Sequence, residues 1–205
     1  MAISTSTSIQ IEGETLHRFS KLSIIQSVNA HHSFSVFQPL PKEFVNQAIE
    51  KSQSYIGQSI KIEIKPNNLS TESPLIFYGI ITNAKLVREN GSAGMIQISG
   101  FSPTIAMQNQ PKSKSYSNKS LSDIIQVIAN QFPQKELKPT INLKDNPTLP
   151  YTVQYGESDF TFLSRLAQKK AEWFYYNGEN LIFGKPQSKT FTLEYGRSLD
   201  RKSVV

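Results

Sequence analysis

The chain of 205 residues contains no cysteine. Disulfides, thiol nucleophiles and zinc sites built on thiolates are therefore excluded, while the redox compartment is left open. Long apolar runs are missing too. The longest, Leu75–Ile81, is far short of the roughly 20 residues that a membrane-spanning helix requires. The opening MAISTSTSIQ has neither a basic n-region nor an apolar h-region, so no cleaved leader and no membrane anchor are expected. Nor is there a GxxxxGK-type phosphate loop, a GxGxxG fingerprint, an HExxH zinc motif or a GxSxG nucleophile elbow. No catalytic, cofactor-binding or metal-binding residue stands out, and a protein that is not an enzyme is the expectation.

What is present describes an ordinary globular chain, with 38% hydrophobic and 19% charged residues. That length can bury one generous core or two small ones. The formal net charge of +6 invites a nucleic-acid reading. However, lysine and arginine are dispersed and no run of five or more occurs, so a solvated basic surface is favoured.

The first 110 residues read as a small, closed or nearly closed antiparallel β-barrel. Ile9 and Ile11 alternate, His17–Val28 alternates loosely through Phe19, Leu22, Ile24 and Ile25, and Ser33–Phe37 places Phe34 and Val36 on one face. Asn29-Ala30-His31-His32 connects these strands. A short amphipathic helix through Phe44, Ala48 and Ile49 reaches about Tyr55 and ends at Gly57. Ser59–Lys65 has Ile60, Ile62 and Ile64 opposite Lys61, Glu63 and Lys65, the pattern of a half-exposed antiparallel strand. Beyond the polar loop Asn67–Pro74, Leu75–Lys85 is a long strand. The Gly-containing turn Glu89–Gly94 precedes the return strand Met95–Phe101.

Residues 111–188 read as an α+β insert, two helices packed on a hairpin. Gln108–Asn118 (QNQPKSKSYSN) is polar and resembles a linker. Ser120-Leu121-Ser122-Asp123 fits a capping box, and Leu121, Ile124, Ile125, Ile128 and Phe132 form a helical stripe stopped by Pro133. The proline-interrupted stretch to Pro150 leaves room for one strand at Thr140–Leu143. Tyr151 opens a short extended run. Ser158 then caps a second helix, Asp159 adds negative charge to its first turn, and Phe160, Leu163, Leu166 and Ala167 make its apolar stripe. Lys169 and Lys170 suit its C-terminal end. Trp173–Tyr176 and Glu179–Phe183 flank Asn177-Gly178, a strong two-residue hairpin signal. Residues 189–205 read as the first strand of another sheet, with Phe191, Leu193 and Tyr195 alternating.

Three groups of residues merit a chemical test. His31 and His32 suggest a metal, yet neighbours in a strand point to opposite faces, so a turn-flanking, partly exposed pair is the preferred reading. Glu157, with Asp159 beside it, is the best candidate for a functional carboxylate. Complementing the helix dipole or binding Arg165 accounts for Glu157 more simply than acid catalysis. Trp173, Phe174, Tyr175 and Tyr176 behind Lys169 and Lys170 could stack on single strands, but strand alternation sends alternate rings into a core.

The order of motifs is informative. Val153-Gln154-Tyr155-Gly156-Glu157-Ser158-Asp159, then Phe162-Leu163-Ser164-Arg165-Leu166, then Trp173-Phe174-Tyr175-Tyr176, resembles VgrG, the spike-hub family of bacterial type VI secretion, related to phage tail hub and late control D proteins. Asn29–Val36, Gly57 and Phe77-x-Gly-x-Ile continue the likeness through the first barrel. The segment Ala167–Glu172 departs from it, being basic where the family is commonly acidic.

The resemblance implies a structural hub of a contractile injection machine that seats a puncturing spike on the secretion tube. It implies a homotrimer whose barrels form a ring of pseudo-sixfold symmetry. The secretion tube protein, baseplate components and effector or spike-tip proteins are the implied partners. Assembly in the cytoplasm and export by the machine without a signal peptide follow from the same likeness. The likeness implies that residues 189–205 are the first strand of a truncated second barrel; it covers only the front of such a protein, so an excised fragment or a short relative is expected. The alternative is a stand-alone nucleic-acid or glycan binding module, disfavoured by the lone strand at the C-terminus.

Overall fold

The computed structural model describes residues 5–40, 48–66, 74–87 and 94–186. Its first part contains β1 (Thr5–Ile11), β2 (Glu14–Thr15), β3 (Lys21–Ile25) and β4 (Ser33–Pro39), a short helix α1 (Ala48–Ser54), then β5 (Ser59–Pro66), β6 (Leu75–Val87) and β7 (Met95–Phe101). These seven strands make one antiparallel sheet in the order β2-β1-β5-β6-β7-β4-β3. The sheet curls over its own core. Its end strands, β2 and β3, do not pair with each other, so the barrel takes the form of a half-barrel.

Period-two alternation explains the core. Ile9 and Ile11, Phe34 and Val36, Ile60 and Ile62, Phe77 and Ile81, and Ile96 and Ile98 are all buried in one cluster. Their sequence neighbours lie on the outer face. A register shift in the β6–β7 ladder between Ile81 and Asn83 adds a local kink, as bulges do.

A 3₁₀ turn (Pro103–Met107) leads into β8 (Lys112–Ser120), α2 (Leu121–Ala129), β9 (Lys138–Asn142), β10 (Thr148–Glu157), α3 (Asp159–Lys170), β11 (Phe174–Tyr176) and β12 (Asn180–Gly184). β8 and β10 form an antiparallel ribbon. β12 runs between antiparallel β11 and parallel β9. A second core, separate from the first, gathers Met107, Tyr116, Leu121, Ile124, Ile125 and Ile128 with Phe160, Leu163, Leu166, Phe174, Tyr176 and Phe183.

Helix signals in the sequence map directly onto the structure. Ser120 accepts from the Asp123 amide while Asp123 accepts from the Ser120 amide, a complete capping box. Ser158 accepts from the Thr161 amide at the head of α3. Ala171 closes that helix in a left-handed conformation, at φ 53°.

Two expectations need correction. The stretch Gln108–Asn118 is not a linker: most of it forms β8. Its KSKSYSNKS pattern has one apolar residue, Tyr116, so hydrophobic alternation gives no strand signal, and the ladder to β10 supplies the order instead. The hairpin turn is centred one residue later than expected. The Asn177 amide donates to the Asn180 carbonyl, and Asn177 Oδ1 accepts from the Glu179 and Asn180 amides, so Gly178-Glu179 forms the loop. The expected strand in residues 189–205, the start of the expected helix at Phe44, and most of the loops at residues 67–74 and 89–94 lie outside the described residues.

Candidate functional site

Sequence-predicted polar residues collect in two places, the start of α3 and a seam where the half-barrel meets the α+β unit. At the start of α3, Asp159 is buried at 1% exposure. Lys112 Nζ donates to Asp159 Oδ2 at 2.7 Å, Asn109 Nδ2 to the same oxygen at 2.7 Å, and Gln154 Nε2 to Oδ1 at 2.9 Å. Asn109 Oδ1 also accepts from the Asp159 amide. Burial alone would raise this carboxyl. Hydrogen bonds from Lys112, Asn109 and Gln154, with the Lys112 charge, outweigh burial and hold it below the ordinary carboxylate range. Asp159 thus does more than complement a dipole: it ties the entry of β8 to α3.

Glu157 takes the partner expected for it. Arg165 donates to its carboxylate through Nε and Nη2, and Nη2 also donates to the Val153 carbonyl at 2.7 Å. Glu157 and Asp159 therefore face different cations and do not converge on a common space. Among the described residues no group of three or more His, Cys, Asp and Glu could hold a metal ion.

The histidine pair flanks a turn, as expected, and His31 is partly exposed, but His32 is not. His32 is 3% exposed, because the turn carrying it is covered by the α+β unit. The His31 ring lies 3.9 Å from the Phe160 ring of α3, centroid to centroid, and the His32 ring meets Tyr176 of β11 edge-on at 6.0 Å. Between them the Asn29 amide donates to the Phe174 carbonyl at 3.0 Å. Further along, the tip of the β11–β12 hairpin presses Gly178 against the Ile76 carbonyl of β6. Burial pushes both histidines below their ordinary pKa, against the pull of Gln108 on His31 and of the Ser27 carbonyl on His32.

Beside the seam runs a groove of about 780 Å³. Glu12, Lys61 and Tyr78 line it from the half-barrel, and Lys135, Glu136 and Glu179 from the other side. Of the aromatic quartet, Phe174 and Tyr176 belong to the second core and Trp173 is half exposed, so no four-ring stacking platform exists. Tyr151 and Tyr155 on β10 are the more exposed aromatics, at 66% and 82%.

Sequence reasoning missed Asn109, Lys112 and Gln154 as partners of Asp159. It also missed Phe162, which is fully buried and stacks on Tyr116 at 5.7 Å and 11°. The solitary aromatic in the polar KSKSYSNKS stretch was the available signal that this segment touches a core.

The fold has clear relatives among solved structures. A tail protein from Neisseria meningitidis superposes with a TM-score of 0.69 at 16% identity, over 97% of this chain and 57% of that one. An Escherichia coli protein, described as a component of the type VI secretion system with structural similarity to the T4 bacteriophage tail proteins gp27 and gp5, gives 0.56 at 16% identity over 85% and 48%. A Francisella PdpA-VgrG complex gives 0.56 at 16% identity over 88% and 31%. The chain thus spans a little over half, or less, of the length of these structures. No curated protein matches it in sequence.

A curled antiparallel half-barrel joined to an α+β unit is the fold shared with these tail and secretion proteins. Residues 45–200 match the family model of the phage tail baseplate hub (GPD). The chain belongs to that family, a structural family of the phage-tail and type VI secretion hub type.

Proposed function

We propose that this chain is part of the structural hub of a contractile injection machine, seating a puncturing spike on the tube. The observation that carries the reading is the family match over residues 45–200, to which the half-barrel fold adds support. The hub works as a homotrimer without catalytic activity: a rigid ring of curled sheets matches a six-fold tube and passes axial force. Its partners are the tube protein, baseplate components and an effector or spike-tip protein. It assembles in the cytoplasm and leaves through the machine.

Light scattering across a concentration series tests the self-association. A trimer is expected. A single-chain mass at every concentration would remove the trimer surface from these residues.

A further inference from the structure

His31 and His32 sit in a hydrogen-bond chain that has one consistent direction. The His32 amide donates to Ser102 Oγ at 3.2 Å, which fills an acceptor position on that hydroxyl. Ser102 Oγ and Thr104 Oγ1 are 2.7 Å apart, Thr104 Oγ1 and His31 Nδ1 are 2.9 Å apart, and His31 Nε2 and Gln108 Oε1 are 3.4 Å apart. The Gln108 oxygen can only accept, so His31 Nε2 carries the hydrogen and Nδ1 accepts from Thr104, which accepts from Ser102. The sequence runs to its end only with a neutral His31. A proton on Nδ1 would face a hydroxyl already pointing at it and force Thr104 and Ser102 to turn round.

His32 is neutral for a different reason. Its Nε2 lies 3.2 Å from the Ser27 carbonyl, which can only accept, so the hydrogen is on Nε2. Nδ1 is buried and has no partner. A proton there would add a charge and an unsatisfied donor at a 3%-exposed ring.

The surroundings offer little relief. His31 faces Phe101 of β7, Phe160 of α3, and Thr104 and Gln108 of the connection; His32 faces Tyr176 of β11, Ser27 and Ser102. The titratable groups among these are the two histidines themselves and Tyr176, whose buried hydroxyl has no partner. Asp159, next in sequence to Phe160, is already held by Lys112, Asn109 and Gln154. Among the described residues no carboxylate makes an ion pair with either ring.

We propose that this seam is a proton-operated latch: adding a proton to His31 or His32 releases the α+β unit from the half-barrel while each keeps its own fold. Separate cores make partial release possible, since each unit holds its own hydrophobic cluster. The sign follows from linkage. A base that binds its proton less readily in the closed seam than in the open one weakens the seam as pH falls below about 6.5, the ordinary histidine value. The weakening levels off once the closed seam also takes up the proton. This device is independent of the hub assignment.

The Asn29 amide reports on the latch directly, because its acceptor is Phe174 across the seam. The Leu16 amide, bonded to Ile9, and the Gly184 amide, bonded to Trp173, report on the two units separately. Hydrogen exchange of the full chain by NMR, corrected for intrinsic rates, is compared between about pH 7.5 and about pH 5. Asn29 protection is expected to fall, with that of Leu16 and Gly184 unchanged. In the His31→Gln/His32→Gln variant that fall is expected to disappear. Protection of Asn29 that is flat with pH, or lost together with Leu16 and Gly184, overturns the latch, as does a fall that persists in the variant. If the variant does not fold, the wild-type ring resonances decide. Both histidines must titrate below the ordinary histidine value of about 6.5, and a His31 and His32 that titrate at that value overturn the proposal.

Discussion

Lys112 Nζ and Asp159 Oδ2 lie 2.7 Å apart, joining the first residue of β8 to the first residue of α3. The two ends of the pair are unequal. The Asp159 side chain is 1% exposed, whereas that of Lys112 is 41% exposed and can reach water when its partner is lost. Asp159 is therefore the member whose removal costs more, since it also organises Asn109 and Gln154.

Asp159→Ala is expected to destabilise the chain by about 3 kcal/mol, the usual scale for breaking a buried pair from its buried side. Lys112→Met should cost less, because the Asn109 and Gln154 donors remain on the carboxylate. Urea midpoints of the two variants against the parent measure the difference. Equal losses would mean that the side-chain amides contribute nothing.

The same carboxylate sets an acid limb. Its pKa is depressed in the folded chain, so the stability it contributes is fully present above the unfolded value of about 3.9 and is lost as pH falls through the folded value. Stability measured down that range should decline in the parent and decline less steeply in Asp159→Asn. The window lies well below that of the histidine seam, so the two can be read from one titration.

Arg165 does two jobs from an exposed position. It pairs with Glu157, and it donates to the Val153 carbonyl of β10, one strand of the two-stranded ribbon with β8. The ion pair is solvent-screened and worth little, but the backbone bond ties α3 to an edge strand. Arg165→Ala is expected to cost about 1 kcal/mol and to raise the tendency to aggregate. Arg165→Lys should restore little, because an ammonium cannot hold the carboxylate as a fork while reaching the carbonyl. Chemical denaturation and light scattering of both variants check this.

The elements that were legible in the sequence are those whose signal is local. Ile60 and Ile62 alternate with charged residues, Ser120 precedes Asp123 by three, and Leu121, Ile124, Ile125 and Ile128 recur at helical spacing; each found its expected place. The illegible features depend on distant partners. β8 is a strand because β10 pairs with it, and nothing in KSKSYSNKS announces that. Asp159 looked like a dipole complement because Lys112 is 47 residues away. His32 looked partly exposed because the unit that covers it begins far along the chain.

The head of α3 gives a simpler case. Ser158 Oγ accepts from the Thr161 amide at 3.2 Å and lies 2.9 Å from Thr161 Oγ1. Ser158→Ala removes the cap and should cost about 1 kcal/mol, with Ser158→Asp recovering part of it. Thermal unfolding of the three proteins settles the order.

Gly178 and Gly13 separate backbone strain from contact across the seam. Both have positive φ, 104° and 87°, so an alanine at either position is strained to a similar degree. Space differs: nothing lies within 4 Å of a β-carbon at Gly13, whereas one at Gly178 would overlap the Ile76 carbonyl of β6. Gly13→Ala is therefore expected to cost about 1 kcal/mol. Gly178→Ala should cost about 1–3 kcal/mol more, because the hairpin tip must lift from β6. It should also speed exchange of the Asn29 amide at neutral pH, where Gly13→Ala leaves that amide protected. If both variants lose the same stability and keep Asn29 protected, the hairpin tip is not part of what holds the two units together.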